Sequence, residues 1–189
     1  MTISIKPTAS GSTIEQDGST ILTVDGSGNI TTENNLTVSG RIQSTTQPAF
    51  YTAVTTAQNN GGVGAGTHIL EFASTDLDTT NSFDTANNKY VVPVDGIYVF
   101  NASITWQTTS ISYRYIRAWI RKNGSLLSGG HTHISNETSD DDYVHMHITS
   151  VVQCSAGDEI DVVWGTGTTS QVRIYYASKN TNFSGYLIG

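Results

Sequence analysis

Four of the five histidines in this 189-residue chain lie close together, as two His-x-His pairs on either side of an acidic segment. The pairs are His131 with His133 and His145 with His147. A hairpin that turns midway between the pairs would set His131 against His147 and His133 against His145, all on one face. Imidazoles at i and i+2 on two adjacent strands can ligate a transition metal.

The residues between the histidines argue against a metal at this position. Val144, Met146 and Ile148 alternate with His145 and His147, and apolar side chains are expected to face the core. The histidines then point outward. We therefore interpret the segment as an exposed binding surface, and we predict no metal and no cofactor. A site built from all four histidines is the less favoured alternative.

Composition and motif content argue against several other functions. The formal net charge of −7 at pH 7 disfavours binding to the phosphate backbone of a nucleic acid. The single Cys154 forms no internal disulfide and has no identifiable base, and no G-x-S-x-G elbow is present. Aspartates 140–142 are interpreted as a solvated loop rather than a calcium site. Because no catalytic motif is present, we expect no enzyme. Because no apolar run suits a membrane span or a signal peptide, we expect no membrane protein.

Alternating apolar and polar residues, separated by turn residues, predict an all-β chain. The clearest strand is GIYVFNASITW, residues 96–106. Its core-facing side carries five residues: Tyr98, Phe100, Ala102, Ile104 and Trp106. Its other side begins with Ile97 and Val99. A strand that is apolar on both sides at one end is usually covered by a further element, here a neighbouring subunit.

A second strand, RYIRAWIRK at 114–122, carries the residues best suited to contact a ligand. Its apolar residues Ile116, Ala118 and Ile120 are expected in the core. The alternation then leaves four aromatic or basic side chains outside: Tyr115, Arg117, Trp119 and Arg121. An exposed tryptophan beside arginines suits stacking on a sugar or an anchor in a protein contact. Packing between strands is an equally good explanation.

The first 47 residues have a different pattern, and the polar linker that ends at Pro48 marks the predicted domain boundary. Apolar residues are sparse there, as in LTVDGSGNITTENNLTVSGRI, so the segment cannot build a core by itself. Three copies wound together could bury those residues; a flexible leader is the alternative. The sequence of this segment resembles shaft and virion-proximal segments of bacteriophage tail fibres.

The remainder, residues 48–189, contains in order NKYVVPVDGIYVFNASI, the RKNG and AGDEI turns and the closing FSGYLI. These motifs resemble the C1q-like domain of the C1q/TNF jelly-roll superfamily. The resemblance implies a jelly roll of about ten strands that forms a homotrimer, with the last strand near the threefold axis. The trimer interface would include Ile97, Val99, Tyr186 and Ile188.

Together these observations predict a homotrimeric virion structural protein of a bacteriophage, a fibre, spike or decoration. It would be made in the host cytoplasm and attached to other virion proteins by its N-terminal segment. If strand 113–122 lies beside strand 143–151, as the resemblance implies, His145 and His147 join the outward residues of the first strand in one receptor-binding face. That face would bind a host-surface glycan or protein. The alternative is a passive cap that registers three chains and binds no receptor.

Overall fold

The computed structural model describes residues 3–8, 11–32, 47–59, 67–108, 114–134, 142–166 and 172–188. These residues form seventeen strands: β1 (Ile3–Thr8), β2 (Gly11–Gln16), β3 (Ser19–Asp25), β4 (Ile30–Thr32), β5 (Ala49–Ala53), β6 (Gln58–Asn59), β7 (Thr67–Ile69), β8 (Ser74–Asp78), β9 (Phe83–Asp84), β10 (Lys89–Val91), β11 (Gly96–Thr108), β12 (Arg114–Lys122), β13 (Ser125–Ile134), β14 (Asp142–Cys154), β15 (Glu159–Thr166), β16 (Val172–Ile174) and β17 (Asn182–Leu187). One short 3-10 helix covers Ala177–Lys179. No helix in the ranges given is long and apolar enough to cross a membrane.

The chain divides into two compact units, Met1–Ser44 and Thr45–Gly189, which we call the N-terminal unit and the head. The assignment of residues 1–47 and 48–189 to separate roles stays a prediction.

The N-terminal unit is a four-stranded antiparallel sheet in the order β1-β2-β3-β4. Asp17 and Gly18 connect β2 to β3 with φ angles of 49° and 85°, as a type I′ hairpin turn requires. Among the described residues of this unit none is buried, and Ile5 and Ile30 are 70% and 60% exposed. A sheet of this kind has no core of its own and is marginally stable alone.

The head is a sandwich of two antiparallel sheets. Sheet 1 has the order β13-β12-β15-β10-β9, with β7 also paired to β15. In sheet 2, β11 pairs with β14 along one edge and with β17 and β16 along the other, and β5, β8 and β6 extend the sheet. The chain crosses between the sheets after β6, β7, β8, β10, β11, β13, β14 and β15. This is a jelly-roll sandwich, so the predicted all-β fold class is confirmed.

Aromatic side chains fill the space between the sheets. The core stripe predicted on β11 is buried from Tyr98 to Trp106, each residue at most 2% exposed. Phe50 on β5 stacks on Tyr90 of β10 with ring centroids 4.2 Å apart, and it meets Phe183 of β17 edge-on at 4.9 Å. These contacts join strands of both sheets through one cluster.

Gly185 on β17 is required by this aromatic packing. A Cβ atom at this position would lie 2.5 Å from Cδ1 of Phe100 and 2.7 Å from Cε1 of Phe50. Both rings are buried and cannot move aside without disturbing the core. The glycine in FSGYLI therefore marks a close approach of the backbone to two rings.

The hairpin predicted for the histidine segment does not form. β13 pairs with β12 in sheet 1, whereas β14 pairs with β11 in sheet 2. His131 and His133 therefore lie in one sheet, and His145 and His147 lie in the other. Alternation along a strand specifies which side chains enter the core, but it leaves the neighbouring strand undetermined.

One carboxylate ties the turn between β14 and β15 to the turn between β12 and β13. Asp158 pairs with the Lys122 ammonium at 2.6 Å, and it accepts hydrogen bonds from the Ser155 backbone N–H at 2.8 Å and from the Asn123 amide at 2.7 Å. The hydrogen bond from Lys122, then those from Ser155 and Asn123, lower the pKa of Asp158 from 3.8 to about 2.

We expect the variant Asp158→Asn to be less stable than the natural chain at pH 6 and to lose that difference in acid. A carboxyl whose pKa is lower in the folded state contributes stability that is present above the unfolded pKa of 3.8 and is lost as the pH falls towards 2. Urea unfolding of both chains between pH 6 and pH 2 measures the difference. A difference that stays constant over this range would contradict the assigned role of Asp158.

Candidate functional site

The outer face of sheet 1 is the candidate binding surface, and β12 lies at its centre. Ile116, Ala118 and Ile120 are fully buried, as the alternation predicts. The four side chains between and beside them are half-buried and point outward: Tyr115, Arg117, Trp119 and Arg121. We call the first three the β12 ladder.

The prediction that His145 and His147 lie on the same face as the outward residues of β12 is wrong. β12 lies between β13 and β15, while His145 and His147 are on β14 in sheet 2, opposite Thr105 and Ser103 of β11. Both strands direct their apolar residues into the same core, so their outer side chains lie on opposite sides of the sandwich. The expected six-residue face therefore divides into two surfaces, and the binding role of each residue stays a prediction.

The β12 ladder is a guanidinium held between two aromatic rings. The Cζ atom of Arg117 lies 5.5 Å from the ring centroid of Tyr115 and 5.1 Å from that of Trp119. Residues at i and i+2 of one strand share a face, which places the three side chains in a row. Arginine stacks well on such rings because its planar guanidinium is weakly hydrated.

Trp119 also covers the neighbouring strand. Its register partner on β13 is Gly129, and a Cβ atom there would lie only 2.1 Å from Cδ1 of the indole. The indole thus lies across the backbone of β13, in space that a side chain would otherwise occupy. The contact with Gly129 gives the outward indole a role in packing between strands. The signal in the sequence was the Gly129-Gly130 pair inside a strand.

Arg121, the fourth outward residue, is committed to an ion pair within the sheet. Its Nε and Nη2 atoms donate to Oδ1 and Oδ2 of Asp161 on β15 at 2.8 Å and 2.6 Å. These hydrogen bonds, which Arg121 donates to Asp161, raise the pKa of Arg121. Because this two-point pairing uses the guanidinium edge that would face a ligand, Arg121 is a weaker candidate for binding than Arg117.

The outer face of sheet 2 has the opposite character along β5, β11, β14 and β17, whereas the strands β8 and β16 carry Asp76 and Arg173. The sequences of β5, β11 and β17 contain no Asp, Glu, Lys or Arg, and β14 contains only Asp142 at its first position. By contrast, β12 alone carries four basic residues. Depletion of charge is typical of the centre of a protein interface. Sequence reasoning missed this difference, although it can be counted once the strands are assigned to sheets.

The residues predicted for a trimer interface share this uncharged face. Val99 of β11 lies between Val151 of β14 and Tyr186 of β17. Ile188 donates its N–H to the carbonyl of Ile97 at 2.8 Å. The exposed residues of the group are Ile97 (40%), Tyr186 (45%), Ile188 (52%) and Val151 (65%), and Val151 was missed from the sequence.

His145 and His147 extend the same face at its polar end. Both are exposed, and Nδ1 of His145 lies 2.9 Å from Oγ1 of Thr105. Within the described parts of the chain no three His, Cys, Asp or Glu residues form a group that could hold a metal ion. Since β13 and β14 lie in different sheets, the register needed for a four-histidine site is not formed. Aspartates 140 and 141 lie outside the described residues.

Cys154, the single thiol, lies at the end of β14 and is 1% exposed. Burial raises its pKa, an effect that the nearby Lys122 ammonium offsets only in part. A buried thiol with a raised pKa is a poor nucleophile, since the thiolate is the reactive form.

The geometry described above can be compared with known families. The family model of the C1q domain matches residues 49–188. The chain belongs to the C1q domain family. C1q domains are typically trimeric modules with binding or structural roles and without enzymatic activity. A search of curated proteins gives no match to this chain.

The contact between Trp119 and Gly129 predicts a structural cost for removing the indole. We expect Trp119→Ala to lower the free energy of unfolding of the C1q head by ~1–2 kcal/mol, because it removes partly buried aromatic area and the stacking on Arg117. Leu126→Ala is the control, since Leu126 on β13 is 61% exposed and should change stability by less than ~0.5 kcal/mol. Equal urea midpoints for Trp119→Ala and the natural chain would contradict the contact.

Proposed function

We propose that this chain is a homotrimeric binding protein of a bacteriophage virion. Three C1q heads assemble through the outer face of sheet 2, and the β12 ladder on the opposite face binds a glycan or protein on the host surface. The observation that carries the proposal is the division of chemistry between the two faces. One is uncharged along β5, β11, β14 and β17 and apolar around Val151 and Tyr186, and the other carries a stacked guanidinium between two aromatic rings.

The assembly step is supported by burial. Water-exposed Val151 and Tyr186 lie on β14 and β17, the two strands that flank β11, and Ile188 directly follows β17, without a charged side chain among them. Exposed apolar groups that are contiguous on a sheet face are typical of association surfaces. A C1q domain that buries this face against two further copies leaves the β12 ladder directed away from its partners.

The virion assignment is supported by the N-terminal unit. Its sequence resembles bacteriophage fibre segments, and its four-stranded sheet has no buried residue among those described. Such a sheet gains stability when a partner covers its apolar residues, whether further copies of the same segment or another virion protein. We propose that this unit attaches the trimer to the particle and that the protein is therefore located in the virion.

A passive cap is the second candidate, and one observation favours it. The indole of Trp119 fills the space above Gly129, so the ladder has a packing role that requires no ligand. In that case the head would register three chains and stabilise the particle without binding the host.

Val151→Glu tests the assembly surface. We expect it to give a monomer in light scattering, where the natural chain gives a trimer, because three buried carboxylates would meet in an interface without compensating charge. Leu126→Glu is the matched control: Leu126 is 61% and Val151 is 65% exposed, on edge strands of opposite sheets. It should stay trimeric. A trimeric Val151→Glu or a monomeric natural chain would overturn the assembly surface.

The natural chain and the Val151→Glu variant also test binding, on a printed glycan array and on intact host cells. The natural trimer should bind at least tenfold more strongly than the Val151→Glu monomer, since three linked sites act together. If the natural trimer binds neither a glycan nor a cell, the passive cap is the correct assignment.

A further inference from the structure

We infer that the N-terminal unit buries one face of its sheet against the same face of two further copies of this chain. The inference rests on the proposed function, because it takes the trimer of C1q heads as its starting point. It goes beyond that function by assigning the partner of the N-terminal sheet and the residues that form the contact.

Five aliphatic residues of the N-terminal unit lie on one face of its sheet, as the pairing of the strands shows. Ile14 of β2 lies opposite Ile5 of β1 on one side and opposite Leu22 of β3 on the other. Two residues further along β3, Val24 lies opposite Ile30 of β4. Register partners share a face, and so do residues at i and i+2 of one strand. The five side chains therefore form one patch, which we call the aliphatic face.

The opposite face of the same sheet is polar. Thr13 of β2 lies between Lys6 of β1 and Thr23 of β3. The Lys6 ammonium pairs with the Glu15 carboxylate at 2.5 Å. Alternation along the strands thus gives the sheet one face suited to water and one face suited to burial.

The aliphatic face is largely exposed in the single chain. Ile5 and Ile30, on the two edge strands, are 70% and 60% exposed. Ile14, Leu22 and Val24, on the strands between them, are half-buried. A sheet with one apolar side needs a second layer before that side contributes to stability, so the aliphatic face requires a partner.

Two further copies of the unit are the partner that the connectivity of the chain favours. A trimer of heads holds three N-terminal units on one assembly, because residues 33–46 join each unit to its own head. Linkage of this kind raises the effective concentration of the units for one another to the millimolar range. Any other protein must compete for the aliphatic face with two copies that are always present.

The charge and the symmetry of the aliphatic face also fit copies of itself. Each chain carries a net charge of −7, but the five residues of the face are uncharged and the Lys6–Glu15 pair lies on the other side, so contact between these faces brings no like charges together. Three one-sided sheets around a common axis cover all three aliphatic faces, whereas a pair of sheets leaves the third exposed. The polar faces then point outward, where other virion proteins can bind them.

Cross-linking of the full chain tests this packing. Ile14→Cys and Val24→Cys place a thiol on the aliphatic face. Thr13→Cys and Thr23→Cys are the matched controls, because they lie next to the first pair on the same strands, are half-buried to the same class and face the polar side. The native Cys154 is 1% exposed and adds little background. Once light scattering shows that each variant is a trimer, a short bis-maleimide should link two chains at least tenfold faster in the aliphatic-face variants than in their controls.

The Val151→Glu change separates packing within a trimer from collisions between trimers. Because this variant is expected to be a monomer, it removes the linkage between the three N-terminal units. Combined with Ile14→Cys, it should slow the cross-linking at least tenfold at the same chain concentration. Unchanged cross-linking in the combined variant would contradict the dependence of the contact on the assembled heads.

Two results would overturn parts of this account, and they are distinguishable. If the variants are trimeric but Ile14→Cys and Val24→Cys cross-link no faster than Thr13→Cys and Thr23→Cys, the inference is wrong and the assembly of the heads through sheet 2 stands. If the natural chain is a monomer in light scattering, the proposed assembly itself fails.

Discussion

The aromatic cluster between the two sheets is the constraint on which the rest of the head depends. Because side chains alternate along a strand, every residue that enters the cluster places its two neighbours on an outer face. Phe100 in the core thus sets Val99 on the uncharged face of sheet 2, and Ala118 sets Arg117 on the charged face of sheet 1. The core and the two candidate surfaces are consequences of the same alternation.

The two outer faces differ in the free-energy cost of removing them from water. An apolar, uncharged sheet face loses little when it is desolvated, so it suits association between copies. A face with the Arg121–Asp161 and Lys89–Glu159 pairs is costly to bury and suits contact with solvent or with a polar ligand. A C1q domain that assembles through sheet 2 keeps the stacked guanidinium of Arg117 available. The virion location and the host ligand are proposals that rest on this division and on the N-terminal unit.

The alternation of apolar and polar residues made the buried residues predictable, but it did not predict which strands pair with each other. The buried residues of β11 and β12 follow directly from their period of two, and the motifs NKYVVPVDGIYVF and FSGYLI indicated the family that the C1q model then matched. The hairpin between the histidine pairs was predicted wrongly, since β13 and β14 have the same alternation whether they pair or cross between sheets. Turn residues and spacing do not distinguish these two outcomes.

Two features of the candidate site required the structure. The contact of Trp119 with Gly129 depends on the register of β12 against β13, which a one-residue slip would abolish. The position of the Arg117 guanidinium between the rings of Tyr115 and Trp119 depends on side-chain geometry that the sequence pattern does not specify. The uncharged character of β5, β11, β14 and β17 was present in the sequence, but it became meaningful only when these strands were found in one sheet.

Thiol labelling tests the division of the two faces most directly. Val151→Cys and Leu126→Cys place a single reactive thiol on opposite faces, at positions that are 65% and 61% exposed in one chain, while the native Cys154 is 1% exposed and adds little background. In the native assembly, maleimide should modify Leu126→Cys at the rate of a free thiol and Val151→Cys at least tenfold more slowly. The two rates should become equal after denaturation. Equal rates in the native protein would contradict the assignment of sheet 2 to assembly, and protection of Leu126→Cys alone would reverse the roles of the two faces.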